Sequence, residues 1–211
     1  MANIRFSDDS EIFEIDNPEE VSCLYFPLAS EAGLKSSITP DLGGDCKLDQ
    51  EGFLLEPVSA EDLRTSRSTR NFWCVTEKGC WSATGVSAEQ EAARFTPEQD
   101  ESRLTAGFMW QSVRRETKRY ALCAEITSFV PHRENVEIMY IRVTNTDAAP
   151  QRITGIAAVP IYGRSADNIR DHRNVTSMLH RIRTTDHGVL VKPAMSFDEK
   201  GHRENRRIYY V

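Results

Sequence analysis

The chain has 211 residues, 39% of them hydrophobic, and sets 26 basic against 32 acidic side chains for a net charge of −6. That length and apolar fraction suffice for one large domain, and all-β domains often run to this size. The acidic balance, with Lys and Arg mixed among Asp and Glu along the chain, argues against nucleic acid or an anionic membrane as the main partner. No run approaches the roughly 20 apolar residues of a membrane span.

Ile4 to Glu14 alternates apolar and polar residues as an early strand does, and Val21 to Leu28 is a second apolar run. Ser36 to Gly44, SSITPDLGG, carries turn chemistry and predicts an ordered loop, followed by a further turn at Glu51-Gly52. NFWCV and CWSAT flank Thr76-Glu77-Lys78-Gly79 and predict a β-hairpin over Asn71–Thr84, with Trp73 and Trp81 as core residues. Ser87 with Gln90 is a capping box opening a short helix to Phe95.

Beyond Thr96-Pro97 the pattern is strongly β. Leu104–Val113, Tyr120–Val130, Val136–Asn145 and Ile153–Ile161 read as four strands of one antiparallel meander, the unit of a sandwich. Gly188–Pro193 and Ile208–Val211 add two strand-like pieces. The chain stops within the last of these, so the expectation is a single β-sandwich domain over residues 1–211 that is incomplete at its C-terminal end. Missing strands would leave an open sheet edge and favour self-association.

The most chemically dense stretch is Ile161 to Arg181, IYGRSADNIRDHRNVTSMLHR, with four arginines, two histidines and two asparagines. Val175, Met178, Leu179 and Ile182 fall at the spacing of one buried helical stripe. Ser165 is a plausible N-cap for that helix, and Asp167 and Asp171 suit its positive end. Such a helix presents Arg170, Arg173, Asn174 and Arg181, donors suited to a ligand rich in hydroxyls or phosphate. A solvated, salt-bridged helical face is the competing reading.

No dinucleotide, Walker, metalloprotease or serine-hydrolase motif occurs. The five histidines, His132, His172, His180, His187 and His202, are spaced too irregularly for a zinc set, so no metal is expected. Paired carboxylates for glycoside chemistry are not singled out by any spacing. Five cysteines, Cys23, Cys46, Cys74, Cys80 and Cys123, form no CxxC pair. With an odd count and no apolar leader between Met1 and Ser10, they predict buried reduced thiols and a cytoplasmic location, although Cys74 and Cys80 could meet across the hairpin.

Several long phrases together resemble the N-terminal domain of the cellobiose phosphorylase family, formerly glycosyltransferase family 36 and now glycoside hydrolase family 94. They are Tyr25–Leu63 (YFPLASEAGLKSSITPDLGGDCKLDQEGFLLEPVSAEDL), Ser66–Trp73 (SRSTRNFW), Trp81–Gln90 (WSATGVSAEQ), Ala158–Ile182 and Gly188–His202 (GVLVKPAMSFDEKGH). Within the family they look most like the 1,2-β-oligoglucan phosphorylase and cyclic β-glucan synthase branch.

The resemblance implies an all-β fold: an antiparallel β-super-sandwich of the galactose-mutarotase-like type with one or two short helices. An (α/α)6 barrel that follows in the family, and is absent from this chain, holds the catalytic carboxylic acid. It further implies an inverting glycosyltransferase of the phosphorylase kind. Inorganic phosphate cleaves β-glucosidic bonds of gluco-oligosaccharides to give α-glucose 1-phosphate, without metal or organic cofactor. No residue of this chain is then catalytic, and the chain alone is expected to be inactive. Its implied contributions are a homodimer surface and the acceptor-side border of the sugar site, with Arg181 as first candidate contact and Asn174 and Arg173 behind it. A stand-alone carbohydrate-binding sandwich is the alternative.

Overall fold

A computed structural model describes residues 3–8, 11–21, 24–59, 69–166, 177–198 and 201–211, with the backbone alone at 196–198 and 202. The first half supplies strands β1 (Ile4–Phe6), β2 (Phe13–Asp16), β3 (Phe26–Ala29), β4 (Lys35–Ile38), β5 (Cys46–Asp49), β6 (Gly52–Leu55), β7 (Asn71–Thr76), β8 (Gly79–Ser82) and β9 (Glu101–Gly107). The second half supplies β10 (Trp110–Thr117), β11 (Leu122–Phe129), β12 (Ile138–Asn145), β13 (Thr154–Ala158), β14 (His180–Thr185), β15 (Gly188–Pro193), β16 (Met195–Asp198), β17 (Gly201–Glu204) and β18 (Tyr209–Tyr210). Among the described residues the α-helix α1 (Ala88–Ala93) interrupts them, and Ser177 and Met178 are also helical.

Every strand pair among the described residues is antiparallel. The largest sheet has the order β1-β2-β9-β10-β11-β12, and a four-stranded sheet runs β3-β4-β5-β6. Smaller sheets are β13-β7-β8, β14-β15-β18 and the hairpin β16-β17. One apolar cluster joins three of these sheets: Leu28, Ile38 and Leu55 meet Cys74 and Trp81, and both groups meet Leu122, Ala124 and Ile126. Burying a side chain such as Leu122 or Ile126 contributes about 1.5–3 kcal/mol each, so this layered contact is the main source of stability. The arrangement is that of a β-sandwich, as the alternating strands predicted.

The hairpin over residues 71–82 forms with Gly79 at φ 129°, where a side chain would be strained. Its register sets Cys74 opposite Trp81 and Cys80 opposite Val75, so Cys74 and Cys80 lie on different faces and do not meet. Cys80 is exposed, contrary to the expectation of a buried thiol, whereas Cys46, Cys74 and Cys123 are buried. Trp81 is a core residue, 2% exposed, and its indole Nε1 donates to Asp100 Oδ2 at 2.8 Å. Ser87 caps α1 by accepting from the Gln90 amide at 3.1 Å.

Several assignments are corrected: Ile4–Glu14 is not one strand but runs from β1 to its antiparallel partner β2, and the loop expected at Ser36–Gly44 starts inside strand β4. Leu104–Val113 is not one strand: β9 ends at Gly107, β10 starts at Trp110, and the chain reverses through Phe108 and Met109. Met109 adopts φ 62°, a conformation for which Met gives no local signal. Ile153–Ile161 does not continue the meander either. Its strand β13 crosses to pair with β7, and all five of its residues are exposed despite the apolar run.

Candidate functional site

The stretch from Ile161 to Arg181 begins as a buried clasp. The Tyr162 amide donates to Leu54 O at 2.6 Å, Phe53 N to Arg164 O at 2.9 Å and Ala166 N to Gln50 O at 2.9 Å, which lays this segment along β6. Arg164, 6% exposed, stacks its guanidinium over the Tyr162 ring at 4.1 Å. Ser165 is fully buried, and its carbonyl accepts from Tyr162 Oη at 3.0 Å. Residues 167–176, which include the candidates Arg173 and Asn174 and the apolar Val175, lie outside the described residues.

The expected buried helical stripe is overturned where it can be followed. Met178 is 83% exposed, Leu179 41% and Ile182 67%. Ile182 belongs to strand β14, with Val191 of β15 opposite. Met178 lies in a helical turn with Ser177 whereas Ile182 lies in β14, so the chain changes period between them and no single stripe forms.

Arg181 therefore projects from a strand rather than from the end of a helix. Alternation places Arg181, Arg183 and Thr185 on one face of β14, and their partners on β15 are Lys192, Leu190 and Gly188. Tyr210 of β18 pairs with Leu190 and joins the same face, where its hydroxyl lies 3.2 Å from Thr185 Oγ1. Arg181, Arg183 and Lys192 are all exposed. Among the described residues no carboxylate pairs with any of the three. Sequence reasoning named Arg181 but not Arg183, Lys192 and Tyr210, which the structure places on the same face. Their signal is the period-2 alternation of HRIRTT against GVLVKP, which a helical reading hides.

The opposite face of this small sheet turns inward. Val191, Pro193 and Tyr209 are buried there, and His180 sits half-buried beside them with Nε2 inaccessible and without a hydrogen-bond partner among the described residues. Burial, with the Arg164 guanidinium as a smaller cause, pushes the His180 pKa down. Burial thus favours the neutral imidazole in the fold.

A second polar constellation lies beneath α1. Glu19, Arg115, Asp41 and Arg94 line a small void with Gly85 and Asp100. Arg115 Nη1 donates to Glu19 Oε1 at 3.4 Å, and Ser102 Oγ to Glu19 Oε2 at 2.6 Å. Burial raises the pKa of Asp41, against which Arg115 and Arg94 act as smaller causes. Next to it, a groove of about 380 Å³ is lined by Trp81, Glu89, Asp100, Lys118, Arg119 and Tyr120. Its aromatic side chains offer no stacking face, since Trp81 and Tyr120 are 2% and 3% exposed. Among the described residues no three His, Cys, Asp or Glu side chains gather where they could hold a metal ion.

Fold and surface define a β-sandwich domain with an open basic face and structural polar clusters. The family model described as glycosyl hydrolase 94, supersandwich domain, matches residues 73–204, and the chain belongs to this family. No curated protein matches the chain.

Proposed function

We propose that this chain is the non-catalytic N-terminal β-sandwich domain of a cytoplasmic inverting glycoside phosphorylase. The parent enzyme would cleave β-glucosidic bonds of gluco-oligosaccharides with inorganic phosphate, releasing α-glucose 1-phosphate. Phosphate takes the place of the activated water of an inverting hydrolase, so a single carboxylic acid serves as general acid to the leaving oxygen. That acid would belong to a catalytic domain other than this one. The domain contributes homodimer contacts and the acceptor-side border of the sugar site.

The match to the supersandwich family carries the assignment. The exposed guanidinium of Arg181, which no described carboxylate neutralises, supports the border role, since its fork of donors suits sugar hydroxyls. Arg173 and Asn174 are the secondary contacts in this reading.

Two measurements test it. The purified 211-residue chain, incubated with phosphate and sophorose or cellobiose, should release no glucose 1-phosphate; turnover by the chain alone would overturn the assignment. In the phosphorylase that contains this domain, Arg181→Ala should raise KM for the acceptor sugar in the synthetic direction more than it lowers kcat. Unchanged acceptor KM would remove Arg181 from the site. Submillimolar binding of either disaccharide by the isolated chain, read by calorimetry, would favour the carbohydrate-binding module instead.

A further inference from the structure

We propose that the free edge of β14 is a docking site for an extended acidic segment of another polypeptide. The segment adds to the sheet as a strand whose carboxylates alternate with apolar side chains. β14 ends the sheet β14-β15-β18, and among the described residues only β15 pairs with it. An edge strand of six residues presents unpaired N–H and C=O groups that can template another strand.

The side chains of that edge set the chemistry of the added strand. In the register of β14 with β15, Arg181 lies directly opposite Lys192, a like-charge pairing that disfavours the sheet. Arg183 stands two residues further on the same face. No described carboxylate offsets this charge, although the chain as a whole carries −6. The other face turns inward at β15 and β18, but at this edge it stays open: Ile182 is 67% exposed, with Leu179 and Met178 exposed just before the strand. Cations on one face and an uncovered apolar side chain on the other make an amphipathic edge.

An added strand with Asp or Glu at every second position repeats its carboxylates at about 7 Å, the spacing of Arg181 and Arg183. Directly opposite side chains then meet at about 5 Å, close enough for charge-assisted hydrogen bonds. The intervening apolar residue of that strand falls on the opposite face and covers Ile182. Competing occupants match less well. A second copy pairing through β14 sets arginine beside arginine. A single small anion needs donors that converge, whereas side chains on one sheet face stand nearly parallel. The site shares Arg181 with the proposed sugar contact, and Arg183, which that contact does not use, distinguishes the two.

The test uses the full 211-residue chain and three labelled synthetic peptides. One alternates Glu with Val and Ile, one replaces each Glu by Lys, and one has the first composition with its acids grouped together. The alternating Glu peptide should bind in fluorescence anisotropy, lose affinity as salt rises, and slow amide exchange within β14. Arg181→Ala and Arg183→Ala should each weaken binding roughly two- to fivefold. The folded double variant Arg181→Glu/Arg183→Glu, checked by circular dichroism, should prefer the Lys peptide. Four outcomes overturn the proposal: no binding, equal binding of the grouped peptide, slowed exchange elsewhere than β14, or an unaltered preference after charge reversal. Binding of duplex DNA or polyphosphate to this face in place of the peptide would overturn it as well.

Discussion

Arg70 and Glu137, 67 positions apart, close a buried two-point ion pair: Arg70 Nη2 donates to Glu137 Oε2 at 2.8 Å, and Nε meets Oε1. The same guanidinium donates to Leu42 O at 3.2 Å, Gly43 O at 3.3 Å, Asp45 O at 3.3 Å and Ser36 Oγ at 2.7 Å. One side chain thereby ties the turn after β4 to the start of β7 and to the segment entering β12. Removing Arg70 strands a carboxylate that is 8% exposed. Arg70→Met should cost about 3–5 kcal/mol in urea unfolding. Arg70→Lys should not restore it, because an ammonium cannot make the planar two-point contact. The double variant Arg70→Met/Glu137→Leu should recover part of the loss, and no recovery would show that the pair is not the dominant interaction.

Two glycines separate backbone strain from steric collision. Gly33 and Gly44 both have left-handed φ, 108° and 102°. A Cβ at Gly33 meets nothing within 4 Å, whereas one at Gly44 would stand 2.1 Å from the carbonyl oxygen of Ser37. Gly33→Ala should cost about 1 kcal/mol from the backbone alone. Gly44→Ala should cost at least about 2 kcal/mol more, because a strand carbonyl cannot swing aside. Equal melting temperatures for the two variants would contradict this account.

His180 predicts a pH dependence with a definite sign. Its folded pKa lies below the ordinary 6.5, chiefly through burial. The unfolded chain therefore binds this proton more readily, and stability falls as pH drops below about 6.5 towards the folded value. Arg164 from the buried clasp faces it and adds repulsion once the imidazole is charged; Tyr209 from β18 packs nearby and remains neutral. His180→Gln should flatten the stability profile over that window. A profile identical to that of the parent chain would remove His180 as its cause.

Thiol reactivity should divide sharply. Burial drives the Cys46 thiol far up and the Cys74 thiol to about 11, and it raises Cys123 as well. Cys80 is exposed. In a Cys23→Ser background, iodoacetamide at neutral pH should modify Cys80 first and reach Cys46 and Cys74 only after denaturant is added. Early labelling of Cys46, read by peptide mass, would contradict the packing of the core.

The family, the all-β class and several local elements were legible in the residues themselves. The hairpin at residues 71–82 announces itself because Gly79 occupies a position that other residues avoid. The cap at Ser87 is a contact between residues three apart. Both rest on short-range geometry. Where the chain turned without its usual residues, at Phe108 and Met109, a hairpin read as one long strand. The apolar run around β13 likewise read as the fourth strand of the meander, yet it pairs with β7 and lies on the surface, since neither pairing nor burial is a local property.

By itself the sequence determined an acidic, sandwich-type chain, because alternation, composition and short contacts are local properties; Arg181 was put first among its donors only by the family resemblance. Tertiary structure alone decided that Arg181 stands on an edge strand, opposite Lys192 and beside Arg183 and Tyr210. It also decided that Arg70 reaches Glu137. Register between strands distant in sequence is fixed by how whole faces pack, and no local spacing carries that information.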